Sequence, residues 1–354
     1  MSSRSSGGAP ADGARAQRPL RVHRVHGLDV SSQIELPGLG RSVGEPASAA
    51  DVVVAIHDGP ATAADPEGSV IARDETPGRT MAITASGGRW HVAAEGITVV
   101  VDATAGGPTT LRVAHRPDAA GTVGWFVGGV GLAIAAMSRS LTVLHGTVVE
   151  VDGSGTLLVA PSGHGKSVTA AAAVAGGARL VAEDSVRVER GESGWVAHPG
   201  PRILRLRRTP GEVRRSFPGL DVGASSDGRV TVDATMLPPI DATEVTGSLE
   251  PPGRRDPIAI DRIAFVRLDP DADAASWLEV DPAIALMTLL GQIRVPGVVD
   301  PALLDDHFTA VSALASSAQV GVARLPWHGD LPDLIEPVKV VLGDAERDRR
   351  ENYS

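Results

Sequence analysis

An α/β domain built on one strand–turn–helix unit, preceded by a small β-rich region, is the architecture this sequence predicts. Three observations predict it. The strand-like Thr156-Leu157-Leu158-Val159 runs into Ala160-Pro161-Ser162-Gly163-His164-Gly165-Lys166-Ser167. That turn leads into Val168–Ala175, an alanine-rich helix former ended by Gly176-Gly177. Before it, from Leu20 to about Arg116, short apolar segments alternate with turn residues, as strands do. After it, a strand pattern at Arg262–Leu268 is followed by three helical patterns.

In chain order, Met1 to Pro19 is rich in Ser, Gly, Ala and Arg with no apolar core, and reads as a disordered tail rather than a signal peptide. Residues 20–116 form the β-rich region. Asp51–Ile56 is an apolar strand. Thr80–Thr84 and Trp90–Ala94 flank Ser86-Gly87-Gly88 as a hairpin, and Gly96–Asp102 and Thr110–Val113 follow. Pro117 to Gly121 marks a boundary, and 117–343 reads as the second domain. Its first element is a buried helix from Gly124 to about Ser138; the apolar run Trp125–Met137 is too short and too glycine-rich to span a membrane. Leu141–Val151 reads as one strand, turned by Asp152–Gly155 into the strand that enters the loop. That hairpin is antiparallel, so the sheet is expected to be mixed.

Beyond the helix, Arg179–Ala182 is a buried strand ending in Glu183-Asp184. Alternating strands follow at Ser185–Glu189 and Gly194–Ala197, then the turn His198–Pro201 and the basic strand Arg202–Arg208. Residues 209–256 are rich in Gly, Pro and Asp, and are expected to be a long mobile segment with a short strand at Arg229–Val232. Helices are expected at Asp281–Ile293, Pro301–Ser316 and Leu331–Gly343, with a short strand at Ala323–Pro326 and a frayed charged tail over 344–354.

Composition excludes some function classes. The chain has 354 residues, of which 42% are hydrophobic and 3% aromatic, so it can bury a sizeable core of Ala, Val, Leu and Ile. A net charge of −10 argues against general nucleic-acid binding, which needs a basic face. The absence of cysteine excludes disulfides, thiol nucleophiles and Cys-based metal sites, and suits a cytoplasmic protein with no membrane partner.

The loop carries the chemistry. Glycines let backbone N–H groups turn inward around phosphate oxygens, and the following helix N-terminus adds partial positive charge. Lys166 would reach the β- and γ-phosphates and the Ser167 hydroxyl would bind Mg²⁺. Ala160 stands where the pattern usually has its first glycine. The bland alternative is an incidental Gly-Lys-Ser. Composition opposes it: the chain has two lysines, Lys166 and Lys339, against 31 arginines, so a lysine here is required as a compact point charge. Asp184 lies 18 residues after Lys166, an interval that one helix and one strand fill, which returns the acidic pair Glu183-Asp184 to the loop. The pair would hold the Mg²⁺ of a nucleotide; otherwise it is a capping or solvated turn. His145 shares a strand face with Val143, Thr147 and Val149. It is either a satisfied core histidine or, with Asp184, the acceptor of a substrate hydroxyl proton. His164 points outward from the loop, or contributes through its backbone. Arg202, Arg205, Arg207 and Arg208 either clamp phosphate or an acidic peptide or form a solvated face, and Arg229 is a weaker clamp candidate.

Three segments together carry a resemblance: Leu144–Gly153, Pro161–Ser167 and Gly177–Val186. In that order and spacing they resemble the catalytic core of HPr kinase/phosphorylase, a bacterial serine kinase related in fold to PEP carboxykinase. The rest of the chain resembles a divergent branch, the HPr-kinase-like proteins of peptide natural-product gene clusters, including lasso-peptide precursor kinases. Gly27–Ser32, Leu36-Pro37, His198–Leu206 and the stretches at His307-Phe308 and Val322–Leu325 carry that wider likeness. The resemblance implies a P-loop kinase domain of HPr kinase/PEP carboxykinase type with a mixed sheet. It implies His145, Asp184 and Lys166 in catalysis. It puts Pro161, Ser162, Gly163, His164, Gly165, Lys166, Ser167 and Val168 on the nucleotide, and Ser167, Glu183 and Asp184 on Mg²⁺. It also suggests a homo-oligomer. Two departures stand out: the family's paired aspartates are Glu183-Asp184 here, and the Gly-Leu-Gly signature that follows in true HPr kinases is absent. Neither regulation of sugar uptake through HPr nor a reverse phosphorylase activity is therefore implied.

The leading expectation is an ATP- and Mg²⁺-dependent kinase acting on a hydroxyl, a Ser of a peptide or protein such as a natural-product precursor peptide. The alternatives are a small-molecule kinase of a biosynthetic pathway and a nucleotide-binding accessory protein without turnover.

Overall fold

The computed structural model describes residues 20–39, 50–57, 68–76, 79–94, 96–103, 107–218, 222–224, 229–234, 256–293 and 301–343. The tails expected over 1–19 and 344–354 lie outside these residues. The fold is mixed α/β, with a β-rich N-terminal region.

Eight strands make the first sheet: β1 (Arg21–Val25), β2 (Leu28–Ser32), β3 (Val52–Ile56), β4 (Ser69–Thr76), β5 (Arg79–Ser86), β6 (Arg89–Ala94), β7 (Ile97–Asp102) and β8 (Thr109–His115). Their spatial order is β1-β2-β3-β8-β7-β6-β5-β4. β5 and β6 form the expected hairpin, with Ala85 opposite Trp90. Alternate residues turn one face inward: Val52 and Val54, Val99 and Val101, Leu111 and Val113 are all buried. That face is covered by the helix expected near 124–138. The helix runs as α1 (Val123–Phe126), a π-helical turn over Val127–Gly131, and α2 (Leu132–Met137). Its residues from Leu132 to Met137 are almost wholly buried and share one apolar core with the sheet. Each Val or Leu enclosed there contributes about 1.5–3 kcal/mol.

The second sheet holds the loop. Its strands are β9 (Thr142–Leu144), β10 (Thr147–Val151), β11 (Ser154–Val159), β12 (Arg179–Glu183), β13 (Val186–Gly191) and β14 (Gly194–Ala197), completed by later strands described below. Helix α3 (Lys166–Ala175) joins β11 to β12. β15 (Ile203–Leu206), β16 (Gly223–Ala224) and β17 (Val230–Asp233) form a separate small sheet beside α4 (Pro210–Ser216). β18 (Ile258–Asp269), β19 (Ser276–Glu279) and β20 (Gln319–Pro326) return to the second sheet, with α5 (Pro282–Leu290), α6 (Pro301–Ser317) and α7 (Ile335–Gly343) around it. The order is β12-β10-β11-β18-β14-β13-β9, with β20 on β18 and β19 on β20. β10 is antiparallel to β11 and β12, whereas β18 is parallel to β11 and β20, so the sheet is mixed as expected. β11 is buried on both faces. Leu158 and Ala160 face α3 and α7, and Leu157 and Val159 face α5 and α6. The parallel run of β11 and β18 puts the loop at their carboxyl ends, where open α/β sheets bind ligands.

Four expectations change. Leu141–Val151 is not one strand: it breaks at His145-Gly146, and β9 pairs with β13 while β10 pairs with β11 and β12. Gly146 packs so closely that a Cβ would sit 2.8 Å from the Leu157 side chain and 3.2 Å from the Leu158 carbonyl oxygen, and the backbone leaves its ladder there. Within 209–256, Thr209 and Glu212 close a capping box that starts α4, in place of a wholly mobile segment. β18 and β20 extend well beyond the strands expected at Arg262–Leu268 and Ala323–Pro326, because β18 pairs along its length with β20 as well as β11. β19, which pairs with β20, was not anticipated from the sequence.

The first region touches the second at a defined point. The His26-Gly27 turn of the β1–β2 hairpin inserts against the His198–Pro201 turn: His26 N–H donates to the Pro199 carbonyl at 2.8 Å, and Arg187 Nη1 donates to the His26 carbonyl at 2.7 Å. Gly27 has φ +70°, and a Cβ there would lie 2.6 Å from His198 Nδ1. Gly27→Ala is expected to destabilise the protein by about 2 kcal/mol, from left-handed strain and displacement of His198. Urea denaturation checks it, and an unchanged midpoint would refute the close fit. Among the described residues no helix is long and apolar enough to cross a membrane.

Candidate active site

The loop leaves β11 at Ala160 and closes at Gly165, the residue before α3. Gly163 and Gly165 have φ +83° and +99°, conformations that glycine adopts at little cost. A Cβ at Gly165 would collide with the Leu268 side chain, so the turn lies tight against the end of β18. Pro161, Ser162, Gly163 and His164 are exposed and Lys166 is buried, while Ser167 and Val168 are half-buried on the first turn of α3. His164 Nδ1 bonds the Ser162 carbonyl at 3.1 Å, which fixes the loop locally and keeps its ring outside.

His145 stands in the strand break, with its N–H held by the Gln292 carbonyl at 2.5 Å, just beyond α5. Its two ring nitrogens reach two different groups. Lys166 Nζ lies 3.0 Å from Nε2; an ammonium offers only protons, so Nε2 accepts. Nδ1 then carries the proton and faces Asp184, at 3.1 Å from its carbonyl and 3.2 Å from Oδ1. Asp184 occupies the left-handed region at φ +66°, where β12 ends, and its side chain is half exposed. A non-glycine residue held at positive φ next to a candidate base is strain of the kind found at functional sites.

Glu183 is the buried member of the pair. Ser167 Oγ donates to its Oε1 at 2.6 Å, and Thr147 Oγ1 donates to its Oε2. Its backbone N–H donates to the Pro201 carbonyl at 2.7 Å. Burial pushes its carboxyl up from the ordinary 4.5 to about 7. The two hydroxyls and Lys166 oppose that rise, and Asp184 adds to it.

The structure thus brings His145, Lys166, Ser167, Glu183 and Asp184 together. It does not bring in Arg208, which stacks on Trp327 and donates to the Gly329 carbonyl. Arg202 is buried, with its N–H on the Gly38 carbonyl. Sequence reasoning missed Thr147, because nothing in the spacing says that β10 sets it directly opposite Glu183. It also missed Ser185, whose Oγ donates to the Gly129 carbonyl at 3.2 Å and ties the acidic turn to the π-helical turn.

With that geometry in place, comparison with known proteins is informative. The HPr Serine kinase C-terminal domain model matches residues 136–205, the stretch containing His145, the loop and Glu183-Asp184. Similar curated proteins include the HPr kinase/phosphorylase of Lactobacillus delbrueckii subsp. bulgaricus, 46% identical over 74 residues, which are 21% of this chain and 23% of that protein. The HPr kinase/phosphorylase of Peptoclostridium acidaminophilum is 44% identical over 69 residues, 20% of this chain and 22% of that protein. The chain therefore spans less than a quarter of the length of these curated relatives. Among solved structures, the Hpr(Ser) kinase/phosphatase from Coxiella burnetii is 14% identical with a TM-score of 0.28, over 60% of this chain and 93% of that one. The resemblance to HPr kinase/phosphorylase is shown over the segment that carries the site.

Proposed function

We propose that this chain is an ATP- and Mg²⁺-dependent kinase that acts in the cytoplasm and transfers the γ-phosphoryl group to the hydroxyl of a Ser in a peptide or protein. The observation that carries the reading is the double engagement of His145: Lys166 on Nε2 and Asp184 on Nδ1, at the mouth of a Gly-Lys-Ser loop. A base, an orienting carboxylate and a phosphate-reaching cation within one side chain of each other are the parts that phosphoryl transfer needs.

The loop amides from Ser162 to Ser167 and the start of α3 would cradle the phosphates. The donor set fits a magnesium ion: hydroxyl and carboxylate oxygens converge at Ser167 and Glu183, 2.6 Å apart, with the Asp184 carboxylate on the adjacent residue. The ion would supply charge neutralisation at the β- and γ-phosphates. It would also favour the ionised form of Glu183, which burial alone disfavours. When phosphate draws Lys166 away, Nε2 of His145 is released and turns to the acceptor hydroxyl. The proton passes from the Ser oxygen to Nε2, the oxygen–γ-phosphorus bond forms, the β–γ bridge bond breaks and ADP leaves. Asp184 holds the ring and stabilises the imidazolium that results.

The test is mass spectrometry of candidate acceptors with ATP and Mg²⁺, among them precursor peptides encoded beside such kinases. A gain of one phosphoryl group, lost in His145→Ala, is the expected result. Phosphorylation of metabolites alone would move the substrate class to small molecules. ATP binding with no acceptor phosphorylated would favour a non-catalytic accessory protein.

A further inference from the structure

We propose that Thr147 is a positioning residue: its hydroxyl holds the Glu183 carboxylate turned toward Ser167, so that the cation-binding oxygens keep their register. The inference deepens the kinase reading and rests on it.

Thr147 is fully buried and sits in β10 directly opposite Glu183 of β12 and Leu158 of β11. Its surroundings are apolar, with Val148 and Val149 following it in β10, both buried. Valine would fill this place with the same shape and no polar atom. Burying a hydroxyl is costly unless it is bonded, and here it donates to Glu183 Oε2. Glu183 Oε1 accepts from Ser167 at 2.6 Å. Two hydroxyls on two elements, β10 and α3, therefore pin the two oxygens of one carboxylate. This matters because the terminal torsion of a glutamate is otherwise broad and roughly two-fold.

Without the Thr147 hydroxyl, Oε2 is a buried acceptor with a lost donor. The carboxylate regains its torsional freedom, and Lys166, whose charge already acts on it, competes for it. The Ser167–Glu183 pair then no longer presents converged oxygens. Thr147 touches neither nucleotide nor cation in this account; it acts through Glu183.

Calorimetric titration of ATP into the full chain, once in EDTA and once in Mg²⁺, separates this role from packing. Thr147→Val is expected to keep the melting temperature and the ATP affinity in EDTA. It should lose roughly ten- to hundredfold of the affinity that Mg²⁺ adds, the range for a hydrogen bond to a charged group. Thr147→Ser, which keeps the hydroxyl, should restore that increment. An undiminished Mg²⁺ increment in Thr147→Val overturns the proposal. So does an equal loss in both media, which would mark a packing role. A wild type whose ATP binding shows no Mg²⁺ increment would instead overturn the kinase reading itself.

Discussion

Lys166→Ala is expected to fold and to lose phosphoryl transfer by on the order of 10²- to 10³-fold, the scale of removing one preorganised group at a developing charge. Lys166 is 7% exposed, and its ammonium lies 3.0 Å from His145 Nε2. Truncation removes the cation that would meet the phosphates and leaves the apo histidine without its donor. The substrate-free protein should melt close to wild type, because the lost contact is a single hydrogen bond and the helix gains an alanine. Lys166→Arg should not rescue transfer. The turn before it is closed down on Leu268, and a forked guanidinium does not fit where a point charge threads between His145 and Glu183. Single-turnover assays with a radiolabelled γ-phosphate check both variants. Full activity in Lys166→Ala would end the kinase reading.

The site was legible in the sequence where its information is local. Strand, loop and helix over Thr156–Ala175 follow from contiguous residues, and the return of Glu183-Asp184 to the loop follows from the length of one helix and one strand. The rest depended on distant partners. The alternation through Val143, His145 and Thr147 reads as a single strand, and only contact with Leu157 and Leu158 shows that Gly146 must break it. That break makes His145 a hinge residue held by Gln292 rather than one face of a strand. Thr147 looks like any β-branched strand residue until β12 is laid beside it. The capping box at Thr209 and Glu212 was local and readable, but the Gly/Pro-rich composition around it obscured the signal. Composition describes a segment on average, whereas a cap is set by two residues.

Glu183→Gln is expected to make the metal-free protein more stable at alkaline pH while destroying its Mg²⁺ response. Burial raises the Glu183 carboxyl from 4.5 to about 7, so the folded state holds this proton more tightly than the unfolded chain does. The stabilisation this proton provides is fully present below about pH 4.5 and is lost as pH rises through about 7. The shift corresponds to on the order of 3 kcal/mol. Other titrating groups are common to both proteins and cancel in the difference between them. In EDTA the variant should therefore match wild type near pH 5 and exceed it by about 1–3 kcal/mol near pH 8.5. The amide oxygen accepts from one of the Thr147 and Ser167 hydroxyls and the amide nitrogen donates to the other, which rotates to accept. Urea denaturation at the two pH values measures it; a wild type that gains on the variant as pH rises would show that the carboxylate is not the strained group. In wild type the same strain works for the site. A buried carboxylate that is costly to ionise alone is one that a cation beside Ser167 relieves, so stability given up in the apo protein returns as affinity for the metal nucleotide.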